Sequence, residues 1–550
     1  MKVGLVCIPT NPDLLMPSSS IATAPTGRDL RLALEDETTY PYSPEHIEVV
    51  QTHISYVALA PPYVYKIKKS VDLGFLDFST IEKRRHFCEE EIRLNGRLCG
   101  DIYEGVVPIS ATPNGLRLED DSNIVDVAVK MRMLNPDQFM DARLRADRLE
   151  KTDIDRVVTT LADFYRERPS SPAIAENGRI PNIWTNIREN FDQAVPHRGD
   201  LITRPAYEAL KYAAERFMDQ HAGLLHRRRA EGRIVDGHGD LRLEHVHLSN
   251  ERVCIYDCIE FTTRFRHIDI ASDVAFLAME LDVNGKHDLA RYFMEAMAEA
   301  LDDPDLLRVA DFYKSYRAFV RGKVNGMKLD DDDITGEART TCIRDSRHFY
   351  QWALRYMAAG SRPLVVVVMG RAGTGKSTQA QALHDALSWP VVSSDTTRKQ
   401  LADIPLHERP DAETRAALYS TEMTERTYTT LREAAIDHAK QGQGTILDAT
   451  FSRKTQRDAL RTHLAEHNIP HVLVELTASD DALKQRLGER SAQDHVVSDA
   501  RAEDFEMLTA RYEAPDALED AHHVRVKADG MPDSTTRSIL KHLVRLKPNG

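Results

Sequence analysis

The chain has 550 residues, of which 42% are hydrophobic and 29% are charged, and this balance excludes a disordered protein. At roughly 150 residues per domain the length predicts two to four domains, and no apolar run approaches the roughly 20 residues of a bilayer span. The net charge of −14 argues against a nucleic-acid partner. The first residues carry no signal-peptide pattern, so we expect a cytoplasmic chain without a membrane partner.

The first half of the chain combines strand patterns with helical ones. Residues 1–40 are rich in Pro, Ser and Thr, and we expect them to form a tail or a loosely attached segment. The patterns predict a β-rich segment with one inserted helix at 50–135 and a helical stretch at 137–230. They then predict a short return to strands at 234–261 and a second helical stretch at 268–357. The inserted helix is TIEKRRHFCEEEIRLNGRL, and its predicted inward face carries Ile81, Phe87, Glu91, Leu94 and Leu98.

The second half reads as an α/β domain. GSRP at 360–363 indicates a linker, and the apolar run LVVVVMG that follows is typical of a parallel strand buried on both faces. Strand and helix patterns then alternate to about residue 528, which is the signature of βαβ units. The predicted organisation is therefore a tail at 1–40, a first domain at 41–357, a linker at 358–363 and a second domain at 364–550.

The strongest motif follows that buried strand. Gly370-Arg-Ala-Gly373-Thr-Gly375-Lys376-Ser377 matches GxxxxGK[ST] without departure and opens a predicted helix, so an ordinary glycine-rich turn is the poorer explanation. Lys376 is expected to reach the β- and γ-phosphates of ATP, and Ser377 is expected to hold Mg²⁺. The residues predicted to bind the nucleotide here are Gly370, Gly373, Thr374, Gly375, Lys376, Ser377 and Thr378.

Further candidate residues follow the P-loop. Asp448 ends the apolar strand of GTILDATF and is the expected carboxylate partner of the metal, although a structural turn Asp is the alternative. Asp395 and Arg398 are three residues apart, so one helical turn can direct both into one pocket. There Asp395 can accept the proton of an attacking hydroxyl, and Arg398 can hold an anionic acceptor or the transferring group. The alternative is a capping Asp and a surface Arg.

Arg486 and Arg490, four residues apart before a polar loop, are predicted to form a lid over the phosphates or else a solvated helix face. Together these motifs resemble the P-loop kinases that include zeta-type toxins, phage polynucleotide kinase, chloramphenicol phosphotransferase and gluconate kinase. The resemblance covers about 362–550. It implies a parallel-sheet fold and ATP- and Mg²⁺-dependent phosphoryl transfer to a hydroxyl group.

A second phosphotransferase pattern lies in the first half. His238-Gly-Asp240 stands in a strand–loop–strand segment, and the next strand carries Asp257 and Glu260 in YDCIEF. Asp240 is suited to orient an acceptor hydroxyl, while Asp257 and Glu260 are suited to bind Mg²⁺. The pattern resembles aminoglycoside phosphotransferase-like proteins, whose loop reads HGDxxxxN, but His245 stands at the metal-binding Asn position.

This resemblance spans about 40–357 and implies a protein-kinase-like α+β fold. It implies that Lys66 or Lys68 of VYKIKK pairs with the phosphates and that Glu91 fixes that lysine, since a carboxylate on an apolar face needs a cation. It also implies an acceptor pocket built by the C-terminal helices. A basic helix stripe is expected either to line that pocket or to face solvent, and its residues are Lys314, Arg317 and Arg321.

The whole chain resembles bacterial bifunctional phosphotransferase/ATP-binding proteins. The implied function is a kinase with two nucleotide-binding domains that phosphorylates a hydroxyl of a small molecule. Two alternatives stay open. In the first, a degenerate first domain senses nucleotide and regulates the second. In the second, which rests on Asp395 and Arg398, the chain is a nucleic-acid 5′-hydroxyl kinase. The residues leave the acceptor and the oligomeric state open.

Overall fold

A computed structural model describes residues 27–547, apart from 53, 75, 332–333, 409, 492–501 and 516–521. The chain divides into an N-terminal unit, ending at Asn135 and including Glu260–Thr262, and a C-terminal unit that contains the rest. Among the described residues, no helix is both long and apolar enough to cross a bilayer.

The N-terminal unit is built on an antiparallel sheet of six strands in the order β1-β2-β3-β6-β4-β5. The strands are β1 Glu48–Gln51, β2 Ser55–Ala60, β3 Tyr63–Lys68, β4 Tyr103–Thr112, β5 Gly115–Leu118 and β6 Ile124–Arg132. The helices are α1 Gly27–Leu34 and α2 Ile81–Cys99. Leu30, Leu34 and Tyr40 pack into the core of this sheet, so the latter part of the segment expected to be loose is attached by apolar burial.

The inward face of α2 differs from the predicted one. Glu91 and Leu94 are buried as expected, but Arg84, Cys88 and Asn95 are buried as well, while the apolar Phe87 is only half-buried. Polar partners explain why the buried face of α2 includes Arg84. The Arg84 guanidinium donates to the Asp126 carboxylate at 2.8 Å and to a backbone carbonyl at 3.0 Å, so burying this cation leaves no unpaired charge.

The C-terminal unit begins with a helical part that carries two small antiparallel strand pairs, β7 with β10 and β8 with β9. Its strands are β7 Ile234–Asp236, β8 Val246–Leu248, β9 Val253–Ile255 and β10 His267–Asp269. Its helices are α3 Met140–Arg145, α4 Lys151–Arg166, α5 Pro172–Glu176, α6 Ile180–Gln193, α7 Arg204–Gln220, α8 Ala222–Ala230, α9 Ile270–Val283, α10 His287–Ala300, α11 Asp305–Met327 and α12 Gly336–Ala358.

The predicted parallel sheet is confirmed in the second half of the chain. Its five strands are all parallel, in the order β12-β13-β11-β14-β15. They are β11 Val365–Met369, β12 Val391–Ser393, β13 Thr445–Asp448, β14 His471–Thr477 and β15 His523–Lys527. The helices are α13 Lys376–Leu387, α14 Ser394–Leu401, α15 Ala412–Leu418, α16 Thr421–Lys440, α17 Lys454–Glu466, α18 Asp480–Ser491, α19 Phe505–Ala510 and α20 Pro532–Leu546.

This strand order fixes where a ligand can bind. The first strand, β11, is central, because the chain builds β12 and β13 on one side of it and β14 and β15 on the other. In open α/β sheets, ligands bind outside the carboxyl ends of the strands at the point where the order reverses. The loop after β11 occupies that point.

Candidate active site

The loop between β11 and α13 has the backbone of a phosphate-binding turn. Gly370 has φ 140°, and a Cβ atom on it would lie 2.5 Å from the carbonyl oxygen of Leu476. Gly373 and Gly375 adopt left-handed φ values of 85° and 87°, which glycine adopts at little cost. The α13 helix begins directly afterwards at Lys376, so its N-terminal partial positive charge lies at the loop.

Lys376 and the threonines of the loop are held in different ways. The Lys376 ammonium donates to the carbonyl oxygens of Gly370 and Arg371, each at 3.1 Å. Thr374 is buried, and its hydroxyl donates to the Arg371 carbonyl at 2.9 Å, so it shapes the loop from inside. Thr378, in contrast, is exposed on the first turn of α13. The predicted phosphate-binding residues are thus together on one loop and helix end.

The structure brings Ser377 and Asp448 into contact. The Ser377 hydroxyl donates to Asp448 Oδ2 at 2.7 Å, and Asp448 is 5% exposed at the end of β13. Burial raises the pKa of Asp448, while the neighbouring Lys376 and the hydrogen bonds from Ser377 and Ser393 act in the opposite direction. A hydroxyl and a carboxylate oxygen side by side are ligands of the kind that Mg²⁺ prefers.

Asp395 and Arg398 lie at the same edge of the sheet. The strand register pairs Ser393 with Asp448, which places the start of α14 beside the metal-type ligands. Asp395 Oδ1 lies 3.6 Å from Arg398 Nη1. Arg398 is buried with its guanidinium 4.5 Å from the ring centre of Tyr419, and within the described parts of the chain its Nε has no hydrogen-bond partner.

Arg486 contacts the backbone. Its Nη2 donates to the Ala528 carbonyl oxygen at 2.6 Å, which ties α18 to the segment after β15. The same helix packs on the phosphate-binding loop, because a Cβ atom on Gly373 would lie 3.1 Å from the Leu483 carbonyl oxygen. The side chain of Arg490 lies outside the described residues, so the predicted arginine pair stays a prediction.

Comparisons with known proteins agree with this geometry. A family model described as an AAA domain matches residues 365–515. An adenylate kinase of Mycolicibacterium smegmatis is 35% identical over 133 residues, which are 24% of this chain and 71% of that protein. The C-terminal half of the chain belongs to the P-loop kinases.

Other similar proteins extend over different parts of the chain. An uncharacterized protein of Mycobacterium tuberculosis is 28% identical over 467 residues, which are 84% of this chain and 90% of that relative. A gluconokinase from Sinorhizobium meliloti is 19% identical, with a TM-score of 0.26, over 35% of this chain and 96% of its own. The M. tuberculosis APS kinase in complex with AMPPNP and APS is 18% identical, with a TM-score of 0.24, over 34% of this chain and 98% of its own.

Sequence reasoning missed two residues of the P-loop kinase domain. Arg371 forms an ion pair with Asp480 at 2.8 Å and donates to the Ala478 carbonyl at 3.2 Å, so it holds the phosphate-binding loop against the start of α18. It occupies a variable position of the motif and therefore gave no signal. Tyr419, which stacks on Arg398, lies in a loop that carries no motif.

In the N-terminal unit, the predicted lysines meet the predicted glutamates. Lys66 and Lys68 contact the two oxygens of Glu91 at 2.9 and 2.7 Å, and Lys68 also forms an ion pair with Glu260. Lys68 is 1% exposed, and Lys66 is 14% exposed. Burial alone would lower the pKa of Lys68, but the carboxylates of Glu260 and Glu91 raise it above its usual value. Glu260, predicted as a metal ligand, is thus held by a lysine.

In the C-terminal unit, Asp240, His245 and Asp257 lie together. His245 Nδ1 is 2.8 Å from the Asp240 carbonyl oxygen, and its Nε2 is 3.4 Å from Asp257 Oδ2. Asp257 has a left-handed φ of 63°, which is uncommon for a residue other than glycine. Asp240, the candidate base for the acceptor hydroxyl, therefore lies in the same loop region as His245 and Asp257, the candidate metal ligands.

Two buried residues brace that loop. The Asp273 carboxylate accepts hydrogen bonds from the backbone N–H groups of His238 at 2.7 Å and Gly239 at 2.9 Å. From the other side, Arg317 donates to the carbonyl oxygens of Gly239 at 2.9 Å and Ser272 at 3.1 Å. The conformation of the HGD segment is thus set by charges on α9 and α11.

One interpretation predicted that the basic stripe on α11 faces solvent. The structure contradicts it, because the side chains of the stripe are largely buried. Lys314 and Arg317 are 2% and 5% exposed, and Lys314 donates to Asp282 at 2.9 Å. Arg321 lies 3.6 Å from Glu280, and burial lowers its pKa. These basic side chains can be buried because each lies near a carboxylate or a carbonyl oxygen.

Proposed function

We propose that the chain is an ATP-dependent phosphotransferase that phosphorylates a hydroxyl group of a small molecule at the P-loop kinase domain, residues 364–550. The observation that carries this proposal is the contact between Ser377 and Asp448 beside a complete phosphate-binding loop. Loop, hydroxyl and carboxylate lie at the edge of the sheet where such folds bind ligands. A structural turn would not require this set of groups in one place.

The residues of the site have separate roles in the proposed reaction. The loop from Gly370 and the N-terminus of α13 bind the phosphates, and Lys376 orients the β- and γ-phosphates. Asp395 takes the proton of the acceptor hydroxyl while that oxygen bonds to the γ-phosphorus and ADP departs. Arg398, buried and with Nε lacking a described partner, holds an anionic group of the acceptor or the transferring phosphoryl group.

Mg²⁺ fits the residues that are present. The Ser377 hydroxyl and the Asp448 carboxylate would hold it, since both offer hard oxygen ligands. When bound, the ion neutralises phosphate charge during transfer. Burial of Asp448 adds to this fit, because a buried carboxylate gains from a nearby cation.

For residues 41–357 we propose a second, aminoglycoside phosphotransferase-like kinase domain. Asp240 serves there as the base for an acceptor hydroxyl. His245 and Asp257 would hold the metal, whereas Glu260 forms an ion pair with Lys68 in the N-terminal unit. Lys66 or Lys68, fixed by Glu91, contacts the nucleotide. The bracing of the HGD segment supports this assignment, because a base must be held in a fixed position to act on a hydroxyl.

A second candidate function is regulatory. His245 occupies the position where the resemblance places a metal-binding Asn, and it lies 3.4 Å from Asp257. Neutral imidazole is a poorer ligand than oxygen for Mg²⁺. The first domain would then bind nucleotide without efficient transfer and gate the P-loop kinase domain.

The experiment is a screen of a metabolite pool with γ-labelled ATP, using the full-length chain. We expect a labelled small molecule with the wild-type protein, and loss of that product with Lys376→Ala. Lys440→Ala is the matched control, because Lys440 is exposed on α16 and should leave the product unchanged. Undiminished product with folded Lys376→Ala would overturn the assignment to the P-loop. Label transferred to oligonucleotide 5′-ends would replace the small-molecule acceptor with nucleic acid.

A further inference from the structure

The last turn of α17 carries three potential metal ligands that serve no purpose in the proposed reaction. They follow the spacing His463-Leu-Ala-Glu466-His467, which places all three on one helix face. One ligand atom from each lies within 4.8 Å of the other two, and no other such group of three occurs in the described part of the chain. Glu466 is 61% exposed and His463 is 38% exposed, so solution ions can reach them.

The geometry suits coordination. His467 Nδ1 lies 2.9 Å from the His463 carbonyl oxygen, which fixes the N–H on Nδ1 and leaves Nε2 to face outward with its lone pair. His463 Nδ1 lies 3.4 Å from Glu466 Oε2. Ligands about 2.1 Å from a tetrahedral ion are about 3.4 Å apart. The His463–Glu466 pair already has this spacing, and ligand atoms as far apart as 4.8 Å would approach by about 1.4 Å through side-chain rotation at the exposed surface.

The position on the helix also favours a cation. The α17 helix ends at Glu466, so the partial negative charge of its unpaired carbonyl groups lies at the ligands. This end leads into the start of β14, at the amino edge of the sheet, whereas the phosphate-binding loop follows the carboxyl end of β11. The group is therefore separate from the site proposed for Mg²⁺.

We propose that His463, Glu466 and His467 form a binding site for a divalent transition-metal ion of the Zn²⁺ class. Two imidazoles and one carboxylate suit Zn²⁺, whereas Mg²⁺ prefers oxygen ligands alone. Water completes the coordination sphere, because the three side chains lie on an exposed surface. The bound ion joins the last turn of α17 to its C-cap residue.

The test is calorimetric titration of the metal-stripped full-length protein with ZnCl₂ in the presence of excess Mg²⁺. We expect a Zn²⁺ site that His463→Ala or His467→Ala each weakens at least tenfold, and that Glu466→Gln weakens less. His542→Ala is the matched control, because His542 also holds a backbone carbonyl through Nδ1, at 2.7 Å, on helix α20 but belongs to no such group. The Zn²⁺ affinity of His542→Ala should equal that of the wild type.

Circular dichroism of each variant establishes that the exposed substitutions leave the fold intact. No Zn²⁺ binding by the wild type would overturn the proposal. So would unchanged stoichiometry and affinity of Zn²⁺ binding in the double variant His463→Ala/His467→Ala, because every bound ion would then lie elsewhere in the chain.

Discussion

Arg355 of α12 donates a hydrogen bond from Nη2 to the carbonyl oxygen of Ser388 at 3.0 Å. Ser388 is the C-cap of α13, the helix that begins at Lys376 of the P-loop motif. The same helical part holds the HGD segment, through the bond from Arg317 on α11 to the Gly239 carbonyl oxygen. A hydrogen bond from α12 therefore holds the C-terminal end of α13, and one from α11 holds the HGD segment.

Charged side chains, some of them buried, join the helical part to the P-loop kinase domain. Lys314 donates to Asp282 at 2.9 Å and to the Ser361 hydroxyl at 3.1 Å. Asp311 accepts from Ser361 at 2.6 Å and forms an ion pair with Lys547 at 2.9 Å. Ser361 lies in the segment predicted as a linker, so that segment is fixed by hydrogen bonds and is not a free tether.

The first prediction concerns this junction. Lys314→Met removes the ammonium group from buried Asp282. Asp282 then keeps the Tyr356 hydroxyl at 2.9 Å and the His287 ring at 3.2 Å. Breaking a buried ion pair from one side costs about 3–5 kcal/mol. We expect a clearly lower midpoint of urea unfolding. Lys440→Met, at an exposed pair 3.9 Å apart, is the control and should shift the midpoint little. Equal midpoints for the two variants would contradict the prediction.

The second prediction concerns acid stability. Burial would raise the pKa of Glu475, but hydrogen bonds from His523, Arg525 and Tyr512 lower it to about 2. Because the folded-state pKa lies below the unfolded value, the stabilisation is present above the unfolded pKa and is lost as the pH falls through the folded one. Urea midpoints of Glu475→Gln should therefore depend less on pH, between about pH 5 and 3, than those of the wild type. The exposed Glu425→Gln should follow the wild type.

The sequence allowed the grouping of Lys376, Ser377 and Asp448 at one edge of the sheet to be predicted, because the pattern that brings them together is local. The motif from Gly370 to Ser377 specifies both a backbone shape and a helix start, and Asp448 ends a strand whose parallel pairing brings it to the same edge. A contiguous motif at the end of a central parallel strand leaves few alternative positions. The order of the five strands could not be read in the same way, since it depends on long-range packing.

The inward face of α2 and the basic stripe of α11 were predicted less well for one shared reason. Hydropathy places Arg84 and Lys314 outside, whereas each is buried against a carboxylate far away in sequence, Asp126 and Asp282. A buried ion pair is visible in a sequence only when both partners are already known to be neighbours. Glu91 was found because it stands on an otherwise apolar stripe, which itself signals a cationic partner.

The third prediction concerns the acceptor base. Asp395→Asn removes the proton acceptor but keeps the shape of the side chain, so kcat should fall by about 10²–10⁴ with little change in ATP affinity. Single-turnover kinetics and nucleotide titration separate the two effects. Asp437→Asn, exposed on α16, is the control for a lost surface charge. Loss of ATP binding instead would assign Asp395 to the metal site.

The fourth prediction compares two lysines of one strand. Lys68→Met leaves both Glu91 and Glu260 buried without this cation, whereas after Lys66→Met the Glu91 carboxylate keeps Lys68 at 2.7 Å. Lys68→Met should therefore lower the unfolding temperature of the protein more than Lys66→Met does. The two lysines share a strand and the partner Glu91, so the difference reports the pairing of Lys68 with Glu260 together with its deeper burial. Equal losses would show that Glu260 is not stabilised by Lys68.

The last prediction concerns the activity of the first domain, with the P-loop silenced by Lys376→Ala in the full-length chain. Because His245 is a poorer ligand than oxygen for Mg²⁺ and a softer ion such as Mn²⁺ tolerates imidazole better, residual ATP turnover should be higher in Mn²⁺. His245→Asn should maintain or raise turnover in Mg²⁺, since an amide oxygen then faces Asp257. His226→Asn, exposed on α8, is the control and should change neither value. Absence of turnover and of ATP binding in both metals, with the protein folded, would make the first domain structural or regulatory and confine the chemistry to residues 364–550.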